Sequence, residues 1–222
     1  ADGGVYGIAT GADMTFITNT TRPTVTTDNA TSVTSNDATL NGNLGSLGTA
    51  TTVRVFFEYG TTISYGSTTI PQSTNATGPF SANITGLSPG TTYHFRAKAD
   101  GGVHGIATGD DMSFTTLTRP TVSTGMATNI TANSAILNGN LASLGTATTV
   151  SIFFEYGTTT SYGSIVVVQT MTAPSAFSAN ITDLRSGVLY HFRAKADAGA
   201  HGIAYGLDMT FTTLASPTVS TG

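Results

Sequence analysis

The sequence predicts an all-β chain: two β-sandwich domains in tandem, flanked at each end by a piece of a further copy. Three observations lead there. The chain repeats itself every 97 residues, its composition favours strands and turns, and its apolar residues alternate over short segments separated by turn residues.

The repeat is read from Pro23, Pro120 and Pro217, which stand at that spacing, each before Thr-Val. Between them "LNGNL", "SLGTATTV", "FFEYGTT" and "YHFRAKAD" recur in the same order. Aligning Thr24–Lys98 with Thr121–Lys195 leaves about two-thirds of positions identical, far beyond what composition alone produces. The expected organisation is a last-strand fragment over 1–20, full repeats over 21–118 and 119–215, and the start of a further repeat over 216–222. Ala1 and Asp2 match the end of "YHFRAKAD". The chain therefore reads as a window on a longer array, or else as one whose first segment is donated as a strand to another subunit. The second full repeat already holds that strand in Asp208–Thr213, which favours the window.

Composition narrows the class further. Only 9% of the 222 residues are charged and the formal net charge is −4, against about 25% charged in ordinary globular chains. No basic patch exists for nucleic acid or anionic lipid. Thr and Ser make up roughly three residues in ten, which favours strands and turns over helices. Without cysteine there is neither a disulfide framework nor a thiolate metal site. The longest aliphatic run is Ile165–Val168, far short of a membrane span.

Within one repeat, "TTVRVFFEYG" places Val53, Val55, Phe57 and Tyr59 on one face and Arg54, Phe56 and Glu58 on the other. "TTYHFRAKAD" sets Tyr93, Phe95, Ala97 and Ala99 against His94, Arg96 and Lys98 in the same way. "FSANITGL" turns Phe80, Ala82 and Ile84 inward and Asn83 outward, and "DMTFIT" turns Met14 and Phe16 inward. Leu40 is a core residue, and Gly42 marks a bend or a close approach. Such strands, separated by Gly, Pro, Asn and Ser signals, form a sandwich.

"ITGLSPGTTYHFRAKA" (Ile84–Ala99) resembles the E–F corner and F strand of fibronectin type III domains. The resemblance implies tandem immunoglobulin-like, fibronectin type III-like β-sandwiches of seven strands each, with A, B and E facing C′, C, F and G. It implies a tyrosine corner at Tyr93, with Leu87 and Pro89, and at Tyr190, with Leu184. Ser186 stands where Pro89 does, so the second corner departs from the pattern. The family's usual strand-B tryptophan is replaced by Leu40 and Leu137. A bacterial or archaeal extracellular repeat protein is implied; a different immunoglobulin-like sandwich is the alternative.

Several residues could carry function, and each has a structural role as its alternative. Glu58 with Arg96, and Glu155 with Arg193, fit cross-strand ion pairs. Phe56 and Phe153, aromatic on the same outward face, are candidate assembly contacts. So are Ile165, Val166, Val167 and Val168, which replace Thr68–Pro71 on what should be an edge strand and lack the guard of Pro71. His94, His104, His191 and His201 lack a carboxylate at ligand spacing, and no metal site is expected. Asp100, Asp110 and Asp111 recur too unevenly to be a calcium site. Asn19, Asn29, Asn75, Asn83, Asn129 and Asn180 lie in Asn-x-Ser/Thr sequons and are candidate N-glycosylation sites. No catalytic constellation or phosphate-binding loop emerges, so neither an enzyme nor a cofactor is expected.

The expected function is structural: a repeat region of an extracellular or cell-surface fibre, filament or stalk, self-associating by end-to-end stacking and lateral β-edge contacts. The alternative is an adhesin or a carbohydrate-binding accessory module of a secreted protein, with glycans as partners and Tyr65 and Tyr162 as its aromatic platform.

Overall fold

Seventeen strands and three single 3₁₀ turns make up the computed structural model, which describes residues 4–6, 10–15 and 20–216. In the first repeat the strands are β1 (Thr24–Thr31), β2 (Ala38–Ser46), β3 (Val53–Gly60), β4 (Ser67–Thr68), β5 (Gln72–Thr74), β6 (Gly78–Ile84), β7 (Thr92–Asp100), β8 (Ile106–Thr108) and β9 (Met112–Thr115). In the second they are β10 (Thr121–Thr124), β11 (Ala135–Ser143), β12 (Val150–Gly157), β13 (Ser164–Met171), β14 (Ser175–Ile181), β15 (Leu189–Asp197), β16 (Ile203–Tyr205) and β17 (Met209–Thr212).

Each repeat is an antiparallel immunoglobulin-like sandwich. The shorter sheets are β1-β2-β6 and β10-β11-β14. The longer sheets centre on β3 paired with β7, and on β12 paired with β15. In the first repeat both outer strands of the longer sheet are interrupted: β4 and β5 share one flank of β3, and β8 and β9 share one flank of β7. Counting each interrupted pair once gives the seven expected strand positions.

Alternation along the central strands builds the core. Val53, Val55 and Phe57 are buried on β3, and Tyr93, Phe95, Ala97 and Ala99 on β7. Phe57 lies between Phe80 and Phe95, with ring centroids 5.0 and 6.4 Å away, and Phe95 meets Phe114 at 5.9 Å. Phe154, Phe177, Phe192 and Phe211 repeat the chain at 5.3, 6.3 and 5.8 Å. Leu40 and Leu137 are fully buried. Gly42 is a close approach: a Cβ there would lie 2.9 Å from the Thr26 carbonyl oxygen and 3.1 Å from the Phe80 ring.

Two features tie the layers together. Thr27 on β1 accepts a hydrogen bond at Oγ1 from the Ala97 amide, 3.0 Å away, and Thr124 repeats this with Ala194. The hydroxyl fits against Gly109 between β8 and β9, or against Gly206 between β16 and β17, so the gap in the outer strand admits a tie between sheets. Tyr93 and Tyr190 make the second tie: the Tyr93 hydroxyl accepts from the Ser88 amide and that of Tyr190 from the Arg185 amide, both at 3.0 Å. Ser186 in place of Pro89 leaves this length unchanged.

Met14 departs from expectation, being 86% exposed and outside any strand. Its counterparts Met112 and Met209 pack on cores floored by β7 and β15, and among the described residues no such strand lies beside Met14. Phe16, Asn19 and the segment 217–222 lie outside the described residues, so the proposed terminal fragments are described only in part. Gly4–Tyr6 forms the same 3₁₀ turn as Gly102–His104 and Gly199–His201.

Candidate functional site

The outward face of the longer sheet gathers the cross-strand pairs singled out from the sequence, with His94 and His191 beside them. Glu58 stands opposite Arg96 in the β3–β7 register, as Glu155 does Arg193 on β12 and β15. Arg96 reaches Glu58 Oε2 through Nε and Nη2, each at 2.8 Å, and Lys98 Nζ takes Oε1 at 2.8 Å. In the second repeat the arginine contacts are 2.8 and 2.7 Å, but Lys195 stands off at 3.9 Å. The sequence does not single out the lysine as a partner, although its position two residues along the strand puts it on the same face.

A second chain of contacts adjoins the first. The Tyr65 hydroxyl donates to Asp111 Oδ1 at 2.9 Å, and His94 Nδ1 lies 2.8 Å from Oδ2. Tyr162, Asp208 and His191 repeat this at 3.1 and 2.8 Å. The Arg96 guanidinium covers the Tyr65 ring at 4.7 Å, and Arg193 lies between Tyr162 at 4.8 Å and Tyr205 at 4.0 Å. Phe56 and Phe153 lie half-buried on this face, each under a lysine ammonium 5.6 Å from the ring centroid.

The turn presenting each tyrosine is tightly constrained. Tyr65 has φ 59° and Tyr162 φ 57°, a left-handed conformation uncommon for a bulky residue. The Tyr65 amide donates to the Thr62 carbonyl at 2.9 Å. Its own carbonyl packs directly on Gly60, where a Cβ would overlap it, and Tyr162 sits on Gly157 in the same way. The glycine that closes "FFEYG" in both repeats is thus the seat of the tyrosine turn.

The electrostatics follow from these contacts. Partial burial pushes the Glu58 carboxyl up, but the hydrogen bonds and charges of Lys98 and Arg96 outweigh it, so Glu58 titrates below its usual 4.5. Burial, then the Asp111 hydrogen bond and charge, raise the Tyr65 phenol above its usual 10.0, and Asp208 does the same for Tyr162. The depressed carboxylate contributes stability that is present above pH 4.5 and is lost as pH falls through its lower folded value. The raised phenols contribute stability that is present below pH 10.0 and is lost as pH rises through their higher folded values. Denaturant midpoints measured against pH should therefore fall at both extremes. Glu58→Gln should lower the midpoint at neutral pH and flatten the acid limb; an unchanged acid limb would contradict the role of Glu58.

The remaining candidates are engaged in the fold. Asp100 Oδ1 accepts from the Gly102 amide at 2.8 Å, so Asp100 and Asp111 serve separate partners. His104 Nδ1 contacts Thr49 Oγ1 at 2.8 Å, as His201 does Thr146. These threonine hydroxyls also accept from the linker amides of Thr21 and Thr118, a role the sequence did not disclose. Among the described residues no three His, Asp or Glu side chains are grouped as a metal site. Asn29, Asn75, Asn83, Asn129 and Asn180 are all exposed. The four aliphatic residues divide: Val166 and Val168 pack on the core, whereas Ile165 and Val167 are 60% and 69% exposed.

Chemically, the face is satisfied from within. Its carboxylates are paired and its tyrosine rings are covered by guanidinium groups. The depression beside Tyr65 and Arg96, about 360 Å³, is lined by the paired Glu58, Tyr65 and Arg96 and by the rest of the Ile63–Thr68 turn.

No family profile matches the chain, and no curated protein matches it. Solved structures do. A structure of the sensor domain of the anti-sigma factor RsgI4 of Pseudobacteroides cellulosolvens is 23% identical, with a TM-score of 0.35, over 46% of this chain and 97% of that one. A second structure of that sensor domain is 22% identical, with a TM-score of 0.36, over 45% and 98%. The fibronectin type III domain of the human KIAA0970 protein is 17% identical, with a TM-score of 0.34, over 45% and 78%.

Proposed function

We propose that the chain is a non-catalytic, structural segment of an extracellular fibre, filament or cell-surface stalk, built of fibronectin type III-like repeats that stack end to end. The observation that carries this reading is the junction. The Ser35 amide, in the β1–β2 loop of the first repeat, donates to the Ala200 carbonyl in the 3₁₀ turn of the second at 3.0 Å, and Ser35 is fully buried. The linker is bonded to both domains: the Leu117 amide donates to the Thr34 carbonyl, and the Thr146 amide to the Thr118 carbonyl. Pro120 is buried and restricts the residue before it. A joint held this way transmits the orientation of one domain to the next.

The carbohydrate-binding alternative is less well supported, because Tyr65 and Tyr162 present ring faces already occupied by Arg96 and Arg193. No helix among the described residues is long and apolar enough to cross a membrane.

The test uses Ser81→Cys with Ser178→Cys in this cysteine-free chain, equivalent exposed positions on β6 and β14. Spin labels there should give one narrow distance peak near one repeat length, roughly 30–40 Å for strands of about ten residues. A Cβ at Gly202 would lie 2.7 Å from Ser35 Oγ and 3.1 Å from Arg119 Cγ, so Gly202→Val should broaden the peak. Gly105→Val, at a similar φ but facing only Arg22, should not. A broad distribution in the unsubstituted junction would overturn the stacking reading.

A further inference from the structure

The repeats differ most along the free flank of the longer sheet. In the first, β4 and β5 are separated by Thr69, Ile70 and Pro71, the last of which has no amide to donate. In the second, β13 runs unbroken for eight residues. One flank of β13 is bonded to β12; the other has no strand partner among the described residues.

The direction of its backbone groups follows from the first repeat. The Thr69 amide donates inward to the Phe57 carbonyl at 2.9 Å. Val166 is the counterpart of Thr69 and stands opposite Phe154, so its amide and carbonyl point inward too. By alternation those of Ile165 and Val167 point outward, away from the sheet. Their side chains crown the outer face, Val167 opposite Phe153 and Ile165 opposite Glu155. No charged residue occurs from Tyr156 to Thr182. The edge thus lacks the proline and charge that guard exposed strands. Its one irregularity is a register shift at Ile152/Phe153, beyond the stretch Ser164–Val167.

Resting on the structural reading above, we propose that β13 is a lateral docking edge for β13 of a second copy, antiparallel about a twofold axis through Val166. In that register Ile165 of each copy faces Val167 of the other. These are the residues with outward amides and carbonyls, so two pairs each exchange both backbone bonds. The occupant follows from charge and shape: an uncharged flank offers nothing to a charged partner strand, whereas an aliphatic ridge is its own complement. The contact is short and therefore weak in one pair of chains. Repetition along two arrays lying side by side in opposite directions multiplies it through effective concentration.

Sedimentation velocity of the intact chain across a concentration series tests this, with amide hydrogen exchange read at β13. A reversible dimer is expected, with protection at Ile165 and Val167 rising with concentration while Val166 stays protected throughout. Val167→Lys should weaken the dimer at least tenfold, about 1.4 kcal/mol. The second variant installs the first repeat's own residues, Ile165→Thr, Val166→Thr, Val167→Ile and Val168→Pro together, a sequence that already folds at the equivalent place. It too should leave the chain monomeric. Sedimentation as a monomer up to about 1 mM, or a dimer that survives both variants, overturns the proposal. Neither variant touches Ser35, Ala200 or the linker. A narrow spin-label distance without a dimer therefore removes the edge contact alone, and a dimer with a broad distance removes the stacking alone.

Discussion

Gly157→Ala is expected to unseat the turn that carries Tyr162 and to lower the stability of the second repeat by roughly 3 kcal/mol or more. Gly157 is buried and has no positive φ, so the cost is steric. The new methyl would occupy the place of the Tyr162 carbonyl, and that carbonyl cannot retreat without moving a backbone already in the left-handed region. Once the turn shifts, the Tyr162 hydroxyl leaves Asp208 and the Arg193 guanidinium loses one of its two rings. Thermal unfolding should show a drop of about 10 °C or more for this domain, and the His191 ring resonances should move as Asp208 is released. Gly60→Ala should do the same to the first repeat. An unaltered midpoint would mean that the glycine is not the seat of the turn.

Phe192→Ala is expected to cost about 3–5 kcal/mol, as buried aromatic truncations do when the cavity cannot close. Phe192 is fully buried, between Phe154 at 6.3 Å and Phe211 at 5.8 Å. Its removal leaves the Phe154–Phe177 contact across the sheets but cuts Phe211 off from the ring chain. Domains of this length are stable by about 5–15 kcal/mol, so the second repeat should become marginal while the first keeps its own core. Calorimetry should then resolve a lowered transition beside an unaltered one. A loss below about 1 kcal/mol would show that the core does not rest on these rings.

The core was legible because strand alternation reports on a residue's own face. Val53, Val55 and Phe57, and Tyr93, Phe95 and Ala97, are buried as their spacing predicts. Glu58 with Arg96 was legible because neighbouring strands oppose them directly. The hydroxyl contacts were not. Thr27 meets Ala97 across 70 positions and Thr49 meets His104 across 55, and one threonine among so many carries no mark of its partner. Ser35 was illegible for a different reason: its partner lies in the other repeat, and the equivalent loop carries Ala132 instead. The aliphatic run at 165–168 was legible as an edge, but only strand geometry separates the two residues that face outward from the two that serve the core.

The placement of the linkers has a mechanical consequence. Pro23 lies by the turn after β7, where a Cβ at Gly101 would sit 3.3 Å from its ring. Thr116 bonds the Ser88 carbonyl at the corner before β7. A pull on the chain thus enters and leaves the first repeat at opposite ends of its strands. The hydrogen bonds between β1 and β2 then lie across the line of tension and are loaded in shear, all at once rather than one after another. That ladder spans Thr24–Thr31 in the first repeat but only Thr121–Thr124, with an isolated bridge at Thr128, in the second. Under load the second repeat is therefore expected to give way before the first.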